Sequence, residues 1–124
     1  MTREETLARV REKKLICIVR GLDPAPMKDL AQALLAGGIE MIEITFAQNR
    51  PETWKDTAAG IRMLNEEFAG KLIAGAGTVI AMEQLFMAYE AGARYIITPN
   101  MDPAIIGQTR KLGLVSMPGA LTPT

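Results

Sequence analysis

A chain of 124 residues with 48% apolar residues, 23% charged residues and a formal net charge of zero has the size and composition of one globular domain. Balanced charge without a Lys/Arg cluster argues against a nucleic-acid surface, and no apolar run nears the roughly 18 residues that a membrane-spanning helix needs. The start, Met1-Thr2-Arg3-Glu4-Glu5, is too charged for a secretory leader; the lone Cys17 excludes an internal disulfide and fits the cytoplasm; and the absence of histidine removes Ser-His and Cys-His nucleophile pairs, HExxH zinc sites and two-His iron sites.

Thr2 and Glu5 have the spacing of a capping box, which predicts a short helix ending near Lys13 with Leu7 and Val10 as its apolar stripe. The continuous run Leu15-Ile16-Cys17-Ile18-Val19 predicts a strand buried on both faces, with Cys17 packed toward a helix layer, and it ends at Arg20-Gly21. Asp23-Pro24 reads as an N-cap and first helical residue; Met27, Leu30, Ala31, Leu34 and Leu35 continue at helical spacing until Gly37.

Gly38 to Phe46 then forms the most informative stretch, an apolar strand with Glu43 in its middle. Strand alternation puts Met41, Glu43 and Thr45 on one face and Ile42, Ile44 and Phe46 on the other. An ionised carboxylate in such company needs a partner or a chemical task, because burial disfavours its charged form.

Pro51 opens a helix whose buried face is Trp54, Ala58, Ile61, Leu64 and Phe68, and Leu72 to Thr78 is a strand whose far end, Ala74-Gly75-Ala76-Gly77, is built from the smallest residues. Met82, Leu85, Phe86 and Tyr89 mark the next helix, stopped by Gly92, and Tyr95-Ile96-Ile97-Thr98 a strand ending at Pro99. Asp102-Pro103 caps a helix through Ile105, Ile106 and Leu112 to Gly113, and Leu114-Val115-Ser116-Met117 is the last strand, closed by Pro118-Gly119. Thr122-Pro123 reads as the start of one more helix.

Apolar strands alternating with helices predict an α/β fold with a parallel sheet, and Ala36-Gly37-Gly38 and Ala91-Gly92-Ala93 close two helices alike, as repeated βα modules do. The expected unit is a single partial domain over residues 1–124, whose parallel sheet, if it closes, makes a partial TIM-type barrel. The strand ends then carry the chemistry: Arg20, Glu43 with Thr45, Gly77 with Thr78, Pro99, and Pro118 with Gly119. Arg20 and Thr78 suit a carboxylate clamp, and the glycine run would let a ligand approach the strand backbone.

Ile18-Val19-Arg20, Gly38 to Phe46, Gly75-Ala76-Gly77-Thr78-Val79, Thr98-Pro99 and Met117 to Thr124 together closely resemble the 2-dehydro-3-deoxy-phosphogluconate aldolase / 4-hydroxy-2-oxoglutarate aldolase family, along the first half of a family member. The resemblance implies a (β/α)8 barrel and a class I aldolase, free of metal and cofactor, that cleaves a 2-keto-4-hydroxy acid to pyruvate and an aldehyde through a Schiff base. It implies that Glu43 shuttles protons, that Thr78 and Arg20 hold the pyruvyl carboxylate, and that Pro99 lines the pocket. A homotrimer is implied for the full-length member, with a small keto acid as partner and neither nucleic acid nor membrane. One branch carries its arginine where this chain has Ala47, so Arg20 has to supply that charge. The Schiff-base lysine of the family matches no position up to Thr124, since Lys13, Lys14, Lys28, Lys55, Lys71 and Lys111 fall on helices or strand starts. The chain alone is therefore expected to be inactive, and the alternative is a non-catalytic half-barrel that binds small carboxylates or pairs with another chain.

Overall fold

The computed structural model describes residues 1–124. Helix α1 (Arg3–Lys13) begins with the expected capping box: the Glu5 amide donates to Thr2 Oγ1 at 3.1 Å and the Thr2 amide to Glu5 Oε2 at 2.6 Å. Then follow β1 (Cys17–Val19), α2 (Pro24–Ala36), β2 (Met41–Thr45), a 3-10 turn (Pro51–Thr53), α3 (Trp54–Glu67), β3 (Ile73–Gly77), α4 (Met82–Glu90), β4 (Tyr95–Thr98), α5 (Pro103–Lys111) and β5 (Val115–Pro118). No helix is long and apolar enough to cross a membrane.

The five strands lie in chain order in one sheet, and every neighbouring pair is parallel. A doubly wound sheet would reverse that order at a switch point. An unreversed order winds in one direction and puts the crossover helices on one face, which is the topology of a (β/α)8 barrel, here a partial one.

Two cores follow from strand alternation. The outward face supplies Ile42, Ile44, Ala74, Ala76 and Ile96 to the core that α2 to α5 cover, where Met27, Ile61, Leu64, Leu85 and Ile105 are buried. The inward face supplies Met41, Ile73, Tyr95 and Val115 to a smaller core, against which Leu7 and Val10 of α1 pack. Since Met41 and Ile73 open their strands, α1 closes the end opposite Glu43 and Thr45. Glu40 ties it there through an ion pair with Arg9 and a 3.0 Å pair with Lys13.

Several local expectations are corrected. β1 is shorter than Leu15 to Val19: Leu15 lies outside it and is exposed, and Ile18 is exposed because the inward face of this edge strand has nothing across from it. Cys17 is half-buried against the helix layer. Asp23 precedes α2 without a side-chain cap bond, whereas Asp102 accepts from the amides of Ala104 (2.9 Å) and Ile105 (3.4 Å). Gly38, not Gly37, adopts the left-handed conformation that ends α2 (φ 86°). Met82, Phe86 and Tyr89 lie on the outer side of α4 and are exposed, so only Leu85 of that stripe is core.

Candidate active site

Glu43 occupies the middle of β2 on the inward face and is 4% exposed. The carboxylate reaches toward the strand end, where Oε1 accepts a long hydrogen bond from Thr45 Oγ1 at 3.4 Å. It lies directly over Gly77: a Cβ there would sit 1.5 Å from Oε1 and 2.4 Å from Cδ. Parallel register explains the approach, because Glu43 pairs with Gly75 and Thr45 with Gly77, and a side chain leaning along its strand finds no side chain on β3 to meet. Burial holds the Glu43 carboxyl above the ordinary glutamate range; the Thr45 hydrogen bond and the Arg20 charge pull it down without offsetting that burial.

This corrects the expectation that the glycine run leaves β3 open to a ligand. Gly77 is covered by Glu43, and Gly75 by Tyr95, whose ring atoms would lie 2.1–2.4 Å from a Cβ there. The glycines admit protein side chains. Tyr95 is fully buried with an unpartnered hydroxyl, and burial, with Glu43's charge next, pushes that hydroxyl well above its ordinary range.

Arg20 follows β1 and is exposed; Thr78 follows β3 and is half-buried. Glu43's strand lies between them, so the two positions flank it about 10 Å apart across two interstrand spacings. Thr78 is in the left-handed region (φ 55°), unusual for a β-branched residue and a mark of a constrained backbone at a site. Pro99, one strand further, is exposed, and its carbonyl packs against Gly119. It lines a cavity of about 570 Å³ with Asn100, Met101, Leu121 and Thr122, and Glu43 is not among the lining residues. The structure thus brings Arg20, Glu43 and Thr78 to three adjoining strand ends and leaves Pro99 at the margin.

No lysine reaches this mouth by its strand position. Lys13 pairs with Glu12 and Glu40 at the opposite end, and Lys28 pairs with Glu67 between α2 and α3. Hydrogen bonds to those carboxylates raise both amines, the wrong direction for a nucleophile that must be neutral. Gln48 and Gln84, which the sequence patterns do not flag, join the loops on either side of the mouth. A side-chain amide in a loop leaves no periodic signal.

The family model for KDPG and KHG aldolase matches residues 7–124. A "Probable 2-dehydro-3-deoxy-6-phosphogalactonate aldolase" of Rhizobium meliloti is 37% identical over 113 residues, 91% of this chain and 50% of the relative. The 2-dehydro-3-deoxy-phosphogluconate aldolase of Treponema pallidum is 35% identical over 120 residues, 97% of this chain and 52% of the relative. Among solved structures, a KDPG aldolase from Legionella pneumophila, with pyruvate captured as a covalent carbinolamine, superimposes with a TM-score of 0.73 at 27% identity, covering 86% of this chain and 48% of that one. The chain spans about half the length of the curated relatives it matches. By sequence and by fold, it belongs to the KDPG and KHG aldolase family.

Proposed function

We propose that residues 1–124 supply the proton-transfer and carboxylate-binding part of a class I aldolase acting on a 2-keto-4-hydroxy acid, such as 2-dehydro-3-deoxy-6-phosphogluconate or 4-hydroxy-2-oxoglutarate. One observation carries this reading: a buried acid with a raised pKa whose carboxyl group reaches toward the C-terminal end of a barrel strand and is seated on a glycine that leaves room for it.

The chemistry needs such a group. A lysine outside residues 1–124 condenses with the keto carbon and releases water, giving an iminium. Cleavage then breaks the C3–C4 bond, passes the C4 hydroxyl proton to a base, and leaves the electron pair in an enamine. C3 takes up a proton, and hydrolysis frees pyruvate. Glu43 accepts and returns these protons, and burial moves its pKa toward the range where both directions are accessible. Arg20 and Thr78 flank Glu43, from where a guanidinium and a hydroxyl hold the keto acid's carboxylate. Pro99 limits the pocket on the far side. No cofactor is required. The setting is the cytoplasm, and the full-length protein is a homotrimer, a reading that the exposed Ile80, Met82, Phe86 and Tyr89 support as a surface in need of cover.

The test is complementation. Residues 1–124 are joined to the remaining barrel strands of a relative, and the product is incubated with pyruvate and borohydride. The expected result is a reduced pyruvate adduct on the added part, retro-aldol turnover, and a loss of about 10²-fold or more in Glu43→Gln. A stoichiometric adduct on residues 1–124 alone would overturn the placement of the amine, and near-normal turnover of Glu43→Gln would remove Glu43 from the mechanism.

A further inference from the structure

We infer that Gln48 and Gln84 are positioning residues that hold Thr78 in the backbone conformation its carboxylate contact requires, an inference that rests on the keto acid reading above. Gln84, in the first turn of α4, is 0% exposed, and every polar atom of its amide is used. Its Oε1 accepts from the amides of Ile80 (2.9 Å) and Ala81 (3.1 Å), and its Nε2 donates to Gln48 Oε1 at 3.0 Å. Gln48, in the loop after β2, donates from Nε2 to the Thr78 carbonyl at 2.5 Å and more weakly to the Phe46 carbonyl at 3.4 Å.

The direction of this relay is determined by its buried end. Two backbone donors face Gln84 Oε1, so the Gln84 amine has to point at Gln48; the Gln48 oxygen has to receive it, and the Gln48 amine is left for Thr78. Thr78 needs such a constraint. A β-branched residue at φ 55° is unfavourable on its own and persists only where its surroundings over-determine it. Gln48 pins its carbonyl on one side, and on the other the next amide, Val79, donates to the Ile97 carbonyl at 3.3 Å. The relay also joins the loop after Glu43's strand to the loop after β3, so the acid and the carboxylate contact keep one spacing.

Two variants separate positioning from plain structural support. Gln48→Leu removes the donor to Thr78. Gln84→Glu keeps an acceptor for Ile80 and Ala81 at the start of α4, where an acid is favourable, but it cannot donate to Gln48. The Gln48 amide then has to turn its amine toward the new carboxylate and its oxygen toward the Thr78 carbonyl, which repels it. The readouts, on the 124-residue chain, are the Thr78 amide–Hα coupling with its Cα and Cβ shifts, and the dissociation constant of pyruvate by NMR titration. Both variants are expected to move Thr78 out of the left-handed region and to weaken pyruvate by roughly tenfold, the loss of one positioned hydrogen bond. A merely structural Gln84 predicts no change in Gln84→Glu. Thr78 unmoved in both variants overturns the inference, as does a moved Thr78 with pyruvate affinity intact. If the unaltered chain does not bind pyruvate while Thr78 moves in both variants, the backbone role stands and the keto acid reading falls.

Discussion

Gly77→Ala tests how the acid is held more directly than removal of the acid itself. The backbone of Gly77 is outside the left-handed region, so alanine meets no conformational strain there. The added Cβ, however, would lie 1.5 Å from Glu43 Oε1, 2.4 Å from Cδ and 2.9 Å from Cγ. Ordinary contact begins near 3.5 Å, so the carboxylate has to retreat by about 2 Å. The displaced atoms end a flexible side chain, so the cost to folding is expected at the low end of overpacking, about 1 kcal/mol. The cost to catalysis is larger. A misplacement of about 1 Å at a reacting group can cost on the order of 10²-fold, near 2.7 kcal/mol of barrel-completed turnover. Two measurements read the result: kcat/KM in the completed barrel, and titration of a 13C-labelled Glu43 carboxyl in the chain. The first is expected to fall about 100-fold. The second is expected to return toward the ordinary glutamate value as the carboxyl moves out of its buried seat. A folded Gly77→Ala protein with unchanged titration and unchanged turnover would refute the claim that this glycine seats the acid.

Other consequences are measurable on the chain alone. Because folding raises the Glu43 pKa, the native state holds a proton that the unfolded state has lost between the two values; stability therefore falls as pH rises through that window and stays lower above it. Glu43→Gln should gain stability relative to the unaltered chain by urea unfolding near pH 8 and lose that gain near pH 4, and an equal difference at both would contradict the buried-acid assignment. Gly75→Ala drives a Cβ into the locked ring of Tyr95 and should destabilise by about 2–3 kcal/mol, with partial recovery in Gly75→Ala/Tyr95→Leu. Tyr95→Phe removes an unpartnered buried hydroxyl and should leave stability unchanged or raise it by up to about 1 kcal/mol; a loss beyond that would show that the hydroxyl has a partner. Glu40→Ala removes the ion pairs that hold α1 under the barrel and should cost about 1 kcal/mol, less in high salt.

The order of elements was legible because each signal is local. Helical spacing marks each helix, an acid before proline opens α2 and α5, glycine closes α2, α4 and α5, and the Thr2/Glu5 box has both of its hydrogen bonds in the structure. Glu43 was legible for a related reason: strand alternation assigns it a face without any knowledge of what lies opposite. What lies opposite was not legible. Leu15 to Val19 looks like a strand buried on both sides, yet Leu15 precedes the strand and the inward face of β1 is open at Ile18. Met82, Phe86 and Tyr89 have core spacing, yet α4 turns them outward, because periodicity marks an apolar stripe without saying which neighbour it meets. In the sequence the glycines of β3 look like space for a ligand; small residues do mark a close approach, but only the parallel register shows that Glu43 and Tyr95 make it.

That register links fold to chemistry here. On a parallel sheet in chain order, a residue facing inward on one strand has side-by-side neighbours on the next, and its room is set by their size. β2 offers the large inward series Met41, Glu43 and Thr45; β3 answers with Ile73, Gly75 and Gly77. The layer at the closed end is therefore packed by Met41 and Ile73 under α1, and the layers toward the mouth are emptied of side chains on β3, so Tyr95 and then Glu43 fold across it. Packing at one end and seating at the other come from the same two strands. A carboxyl pressed onto a glycine backbone is shielded from water, and that burial, against the smaller pull of Thr45 and Arg20, is what raises its pKa.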